Sequence, residues 1–184
     1  LSKKEFILSK FLVVGGFAIA STIYVFIMSL ILGYSFSSYN EFSIVFSDLE
    51  YLFAFFIKLV AFFSFCLFLG ILVKRSAFAL GFLFIWFIAE NIFYWIVKFV
   101  ILRGDDKTKN FGDTIIQYFP IESMSNLIKE PVTRLSAIKT IEKTIGGAQV
   151  AKDYGIHFSQ LSIVLVWTII FIFASYYILK KRDL

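Results

Sequence analysis

Residues Ala77 to Leu102 read AFALGFLFIWFIAENIFYWIVKFVIL, a run of 26 residues that is almost wholly apolar. At about 1.5 Å of rise per residue, a helix of this length crosses a hydrocarbon core of about 30 Å with some tilt. Glu90 and Asn91 lie near its middle, and Lys98 follows two turns later. A charge at that depth costs at least about 2.5 kcal/mol on insertion scales, so it usually faces protein or water. The run therefore predicts a membrane-spanning helix whose polar residues have partners.

Three further apolar runs indicate a polytopic helical membrane protein. Apolar residues make up 59% of the sequence and charged residues 17%, and the mean hydropathy is +0.83. A soluble domain of this length would not carry four such runs, and a membrane β-barrel would show short alternating segments instead. We predict an all-α fold with a single transmembrane domain over residues 1–184, whose four spans cover about residues 11–33, 49–73, 77–102 and 158–179.

The basic residues predict the orientation of the chain in the membrane. Outside the long segment 103–157, for which the positive-inside rule weakens, most of them lie in residues 3–10, 74–75 and 180–182. Residues 34–50 include acidic side chains and no Lys or Arg. With four spans, all three basic groups fall on one side, which the positive-inside rule makes cytoplasmic. Both ends of the chain are then cytoplasmic, and residues 103–157 form an external segment. Topology also explains the net charge of +5, so we expect membrane lipid and no nucleic acid as a partner.

The external segment over residues 103–157 differs in kind from the spans. It is polar, and it contains both prolines of the chain, Pro120 and Pro131. A proline can open a helix, and apolar residues recur at helical spacing after each of these two. We therefore expect a partly helical extracytoplasmic cap that lies on the bilayer surface or dips into it against the bundle.

Lys58, in the second span, is the candidate partner of Glu90. Consecutive spans joined by a tight turn should be neighbours, and the depths of the two residues differ by less than about 10 Å. They could form an ion pair, directly or through water. Lys98 lies one turn from the outer end of its span, so its amine can reach the interface. We predict that four residues form a polar clamp between helices or line a path across the membrane: Lys58, Glu90, Asn91 and Lys98.

Several sequence patterns that carry chemistry are missing. The P-loop pattern G-x-x-x-x-G-K-[ST] does not occur, so we expect this chain to hold no ATP. The patterns H-E-x-x-H, G-x-S-x-G and G-x-G-x-x-G are absent as well. A single cysteine, Cys66, and a single histidine, His157, do not supply a metal-ligand set. We expect no metal, no cofactor and no enzyme activity in this chain.

Four stretches resemble parts of a known family: LSKKEFILSKFL at residues 1–12, KRSAFALG at 74–81, YFPIESMSNLI at 118–128 and SYYILKKRDL at 175–184. The family is the ABC transporter permeases of the type-2 class, the membrane subunits of drug, lipid and polysaccharide exporters. The first stretch is similar to the cytoplasmic segment before the third span, with Lys3 where an arginine is common. The others resemble the joint between spans four and five, the re-entrant or capping helices before span six, and the end of many of these permeases.

The resemblance implies a subunit with six spans, of which this sequence holds the last four. The chain begins with Leu1 and not with Met, and we expect it to be the C-terminal part of a longer protein. Such permeases work as a pair, with a second copy or a paralogue, in the inner (plasma) membrane of a bacterial-type cell. Two cytoplasmic ABC ATPase subunits bind the ATP and Mg.

The resemblance also implies which residues contact the ATPase. They would lie in the cytoplasmic segment before the first span of this chain. The candidate coupling residues are Lys3, Lys4, Glu5 and Lys10. The alternative is that these lysines only set the topology.

Two other functions stay open on the residues. An ion- or proton-coupled secondary transporter would use Glu90 as its titrating group. A membrane enzyme or assembly factor would need a polar cluster at one depth, for which only Lys58, Glu90 and Asn91 qualify. The sequence does not identify the transported substrate.

Overall fold

The computed structural model describes residues 3–36, 49–73, 76–102, 115–128 and 155–181. These residues form five helices: α1 (Lys3–Phe36), α2 (Leu49–Val73), α3 (Ser76–Leu102), α4 (Pro120–Leu127) and α5 (Phe158–Lys181). The described residues contain no strand, and α1, α2, α3 and α5 are each long and apolar enough to cross a membrane. The predicted all-α fold with four transmembrane helices is confirmed.

The helices follow the predicted apolar runs in order. α1 is 34 residues long, or about 51 Å, so it includes the span predicted at residues 11–33 and the basic residues before it. The predicted basic turn at Lys74 and Arg75, most of the acidic connection and the predicted helix after Pro131 lie outside the described residues. The sidedness of the chain stays a prediction.

Three hydroxyl groups inside the spans bond to their own helix. Thr22, Ser162 and Thr168 each donate a hydrogen bond to the carbonyl oxygen four residues earlier, at 2.8 to 2.9 Å. In lipid, a polar group needs a partner within the protein, because no water is available. These bonds explain why these three residues are tolerated in the apolar runs.

The core of the bundle lies between α2 and α5. Small residues such as Ala54 and Ala61, both fully buried, let the two helices approach closely. The buried residues of each helix recur every three or four positions and so share one face. They are Ala54, Ile57, Ala61, Ser64, Phe65 and Leu69 in α2, and Val164, Thr168, Phe171, Ser175 and Leu179 in α5.

Aromatic rings extend this core towards α3. The ring of Phe171 lies 4.8 Å from that of Phe65 and stacks at 5.5 Å on Trp167. Phe65 in turn meets Trp86 of α3 edge-on at 5.7 Å. Ring contacts of this kind stabilise by about 0.5 to 1.5 kcal/mol beyond the area that they bury. Phe65 thus connects the core to the third span.

α4 packs beside the spans rather than beyond their ends. It contacts α2, α3 and α5, and Ser123, Met124 and Leu127 on one of its faces are buried. Its first turn bonds to Glu90, about 18 Å before the end of α3 at Leu102. Two positions are expected for the external segment, on the bilayer surface or against the bundle. In the structure, α4 lies against the bundle.

Candidate functional site at the junction of the third span and the short helix

The carboxylate of Glu90 accepts three hydrogen bonds. Trp86 Nε1 donates to Oε1 at 2.6 Å from one turn earlier in α3. The backbone N–H of Ile121 donates to the same oxygen at 3.3 Å, and the backbone N–H of Glu122 donates to Oε2 at 3.2 Å. Glu90 therefore joins the third span to the first turn of α4.

These bonds supply what the start of α4 lacks. The first N–H groups of a helix have no partner within it, and an N-cap side chain usually accepts a bond from one of them. Here the N-cap residue is Phe119, whose side chain makes no such bond, and Pro120 follows without an N–H. Glu90 takes the place of the cap from 31 residues away, and its negative charge suits the positive end of the helix dipole.

A second anchor holds the segment from the other side. Trp167 Nε1 of α5 donates a hydrogen bond of 2.7 Å to the carbonyl oxygen of Tyr118. The ring of Phe119 lies 5.0 Å from that of Phe93 in α3. Residues 117 and 118 form a turn before α4, where the N–H of Phe119 donates to the carbonyl of Ile116 at 3.0 Å. The segment is thus fixed between α3 and α5.

A pocket of about 250 Å³ lies between α3 and this segment. Both Glu90 and Glu122 face it, and Glu122 Oε1 accepts a hydrogen bond of 3.0 Å from Asn126 Nδ2. Asn91 lies beside Glu90 and donates through Nδ2 to the carbonyl of Phe87 at 2.9 Å. The remaining walls are aromatic or aliphatic: Phe87, Tyr94, Ile116, Phe119 and Ile121. The site combines negative charge with aromatic surface.

Comparison with known proteins now identifies the class. The family model of the ABC-2 family transporter proteins matches residues 1–184. The chain belongs to the ABC-2 transporter family. No curated protein and no solved structure matches it. With four helices able to span a bilayer, this ABC-2 protein is a multi-pass membrane permease of an ABC transporter, as the resemblance predicted.

Two of the four predicted intramembrane residues lie together in the ABC-2 permease. Glu90 and Asn91 face the same pocket. Lys58 is half-buried in α2 and has contacts of its own; its ion pair with Glu90 stays a prediction. Lys98 lies in the last turns of α3, and its side chain is outside the described part of the chain.

The predicted coupling residues all lie at the start of α1. Lys4, Glu5 and Lys10 are exposed, and Lys10 Nζ lies 5.5 Å from the centre of the Phe6 ring. The side chain of Lys3 is outside the described part of the chain. Their role in contacting an ATPase stays a prediction for this ABC-2 permease.

Sequence reasoning missed the donors to Glu90. The backbone N–H groups of Ile121 and Glu122 have no signature of their own in a sequence. An indirect signal does exist, because Phe119 before Pro120 opens a helix without a side chain able to cap it. Such a helix needs an acceptor from elsewhere, and Glu90 is an intramembrane carboxylate that needs donors. No feature of the sequence indicated that Trp167 donates a hydrogen bond to the carbonyl of Tyr118.

Proposed function

We propose that this ABC-2 permease forms part of the translocation path of an ATP-driven exporter and is coupled to a separate cytoplasmic ATPase. The match of the family model over residues 1–184 carries the proposal. ATP and Mg would be bound by the partner, in keeping with the missing P-loop pattern. The chain itself would not be an enzyme, and it would work in the inner (plasma) membrane of a bacterial-type cell.

The proposed coupling runs from α1 to α3. Closure of the ATPase subunits would push on the exposed basic start of α1, at Lys4 and Lys10. The spans would then shift, and the bonds between Glu90 and α4 would break and form again as the outer side opens. A switching element needs two discrete arrangements. Hydrogen bonds suit such a contact because they are directional.

A second permease copy or a paralogue is proposed to lie against α3. No residue of the most apolar part of α3 is buried, and the polar side chain of Asn91 is exposed there. Polar groups at such a depth usually face protein or a watery path rather than lipid. A path between two permeases would satisfy that requirement.

The test begins with the full-length permease, tagged and purified from its native membranes. We expect a soluble ATPase with a P-loop to co-purify, and ATP hydrolysis to be absent from the permease alone. A preparation with no such partner, together with transport that continues after ATP depletion at a fixed ion gradient, would contradict the proposal. That second result would favour a carrier that uses Glu90.

The coupling segment has a matched control at the other end of the chain. Lys4→Glu reverses an exposed charge at the start of α1, and Lys181→Glu reverses one at the end of α5. We expect the first variant to lose most of the co-purified ATPase and the second to keep it. Equal retention in both variants would remove α1 as the contact.

A further inference from the structure

We propose that the pocket between α3 and α4 binds the ammonium group of an organic cation, which Glu122 attracts and the aromatic rings surround. This proposal rests on the proposed function, because the cation would be the transported molecule or one end of it. It names a substrate class that neither the family nor the fold specifies.

The balance of charge in the pocket is the first argument. Two carboxylates, Glu90 and Glu122, face it, and the described residues that line it include no Lys or Arg. Glu90 already accepts bonds from an indole and two backbone N–H groups. These donors and the helix dipole offset part of its charge.

Glu122 differs from Glu90 in this respect. The donor to its carboxylate in the described part of the chain is the neutral amide of Asn126, at 3.0 Å. The residue is half-buried, so water screens its charge less than it would at an open surface. Glu122 therefore makes the pocket attractive to a cation and repulsive to an anion.

The walls of the pocket favour an organic cation over a metal ion. The rings of Phe87, Tyr94 and Phe119 line it, and the face of an aromatic ring attracts an ammonium group. Hard metal ions instead need six or more oxygen ligands. The described lining offers two carboxylates and one amide among apolar side chains, which suits a cation with carbon substituents.

The size of the pocket limits what it can hold. At about 30 Å³ per water molecule, a volume of about 250 Å³ corresponds to roughly eight waters. An ammonium group with a few carbon atoms fits, and a longer apolar tail would extend out of the pocket. The same ammonium chemistry occurs in lipid headgroups and in free cationic amphiphiles, and the experiment separates these two sources.

The experiment uses the complete transporter, permease with ATPase, reconstituted in vesicles of phosphatidylglycerol alone. The probe is benzyltrimethylammonium, and neopentylbenzene serves as its uncharged counterpart of the same shape. Binding is measured by saturation-transfer NMR. We expect the cation to bind and the uncharged probe to bind at least about tenfold more weakly, since the loss of a charged partner is worth at least about one factor of ten.

Two variants of the transporter complete the test. Glu122→Gln removes the charge but keeps an oxygen that can accept the bond from Asn126, so α4 should remain in place. It should weaken cation binding by about tenfold. Glu50→Gln, which removes an exposed charge at the start of α2, should leave it unchanged. Equal binding to wild type and Glu122→Gln, or equal binding of the two probes, would overturn the proposal.

Vesicles that also contain phosphatidylethanolamine or phosphatidylcholine identify the source of the cation. Competition by these lipids against the probe would mean that the pocket accepts a headgroup. Unchanged probe binding would mean that it accepts a free solute; both results support a cation site. If the probe fails to bind while ATP hydrolysis by the complex still requires the permease, the cation site is wrong and the proposed function stands.

Discussion

The pair of helices α2 and α5 and the pair α3 and α4 are held together by different forces. In the most apolar stretches of α2 and α5, 28% and 22% of the residues are buried, against none in α3. α2 and α5 meet through a continuous face of small, aliphatic and aromatic side chains. α4 is joined to α3 through the hydrogen bonds of Glu90 and the ring contact of Phe93 with Phe119.

The difference indicates which part of the permease can move. Lipid tails are as apolar as leucine, so helices associate in a membrane through close packing and hydrogen bonds. A packed face is not continuously deformable, and separating α2 from α5 would lose many contacts at once. A few hydrogen bonds can be exchanged for others at a smaller cost. We expect α2 and α5 to move as one unit, and the junction of α3 with α4 to be where shape changes.

The largest effect is expected where the two regions meet, at Phe65. Phe65→Ala removes a fully buried ring that contacts Phe171 and Trp86, and such changes cost about 3 to 5 kcal/mol. We expect the full permease to unfold at a clearly lower fraction of denaturing detergent in mixed micelles. Phe84→Ala, at a side chain 63% exposed on α3, is the control and should change little. Similar losses in both variants would mean that the core does not dominate stability.

The next effect is expected at Glu90 and should be local. Glu90→Ala leaves the N–H groups of Ile121 and Glu122 and the indole of Trp86 without their acceptor, at about 1 to 3 kcal/mol for each group that stays buried. Glu90→Gln keeps an acceptor oxygen, so it should lose less stabilising free energy at this junction. We expect α4 to separate from α3 in a larger share of molecules.

Thiol labelling measures that separation and contrasts the two regions directly. In a Cys66→Ser background, Ser123→Cys places a thiol on the buried face of α4, and Ser175→Cys places one in the core on α5. Glu90→Ala should speed the reaction of a water-soluble maleimide at position 123 and leave position 175 unreactive. Faster labelling at both positions would mean that the bundle is one cooperative unit, and would contradict the comparison.

The smallest effect is expected at the second anchor. Trp167→Phe removes the hydrogen bond to the carbonyl of Tyr118 but keeps a ring that can stack on Phe171. The loss should be about 1 kcal/mol, seen as a modest rise in labelling at position 123. Trp95→Phe, on the exposed side of α3, should not change it. A larger effect than that of Glu90→Ala would make α5, and not α3, the main attachment of α4.

The sequence predicted the long helices, because they depend on runs of many residues. It did not predict the hydrogen bonds of Glu90, because these depend on single backbone groups. Four apolar stretches imply four long helices because the backbone in lipid must satisfy its own hydrogen bonds. Pro120 correctly marked the start of a helix. At the site, residue type and depth identified Glu90 and Asn91 but directed attention to Lys58 as the partner. The donors that the structure assigns are backbone N–H groups and an indole, and their approach depends on tertiary packing.

The length of α4 has a consequence for how this segment responds to movement of the spans. α4 has eight residues, whereas isolated helices shorter than about 12 to 15 residues are marginal in water. It also lacks a cap of its own, so its helical order depends on docking against α3 and α5. When α3 withdraws Glu90, we expect the segment to lose helical structure rather than swing away as a rigid rod. Folding and docking of α4 would then be a single event, set by the position of one carboxylate.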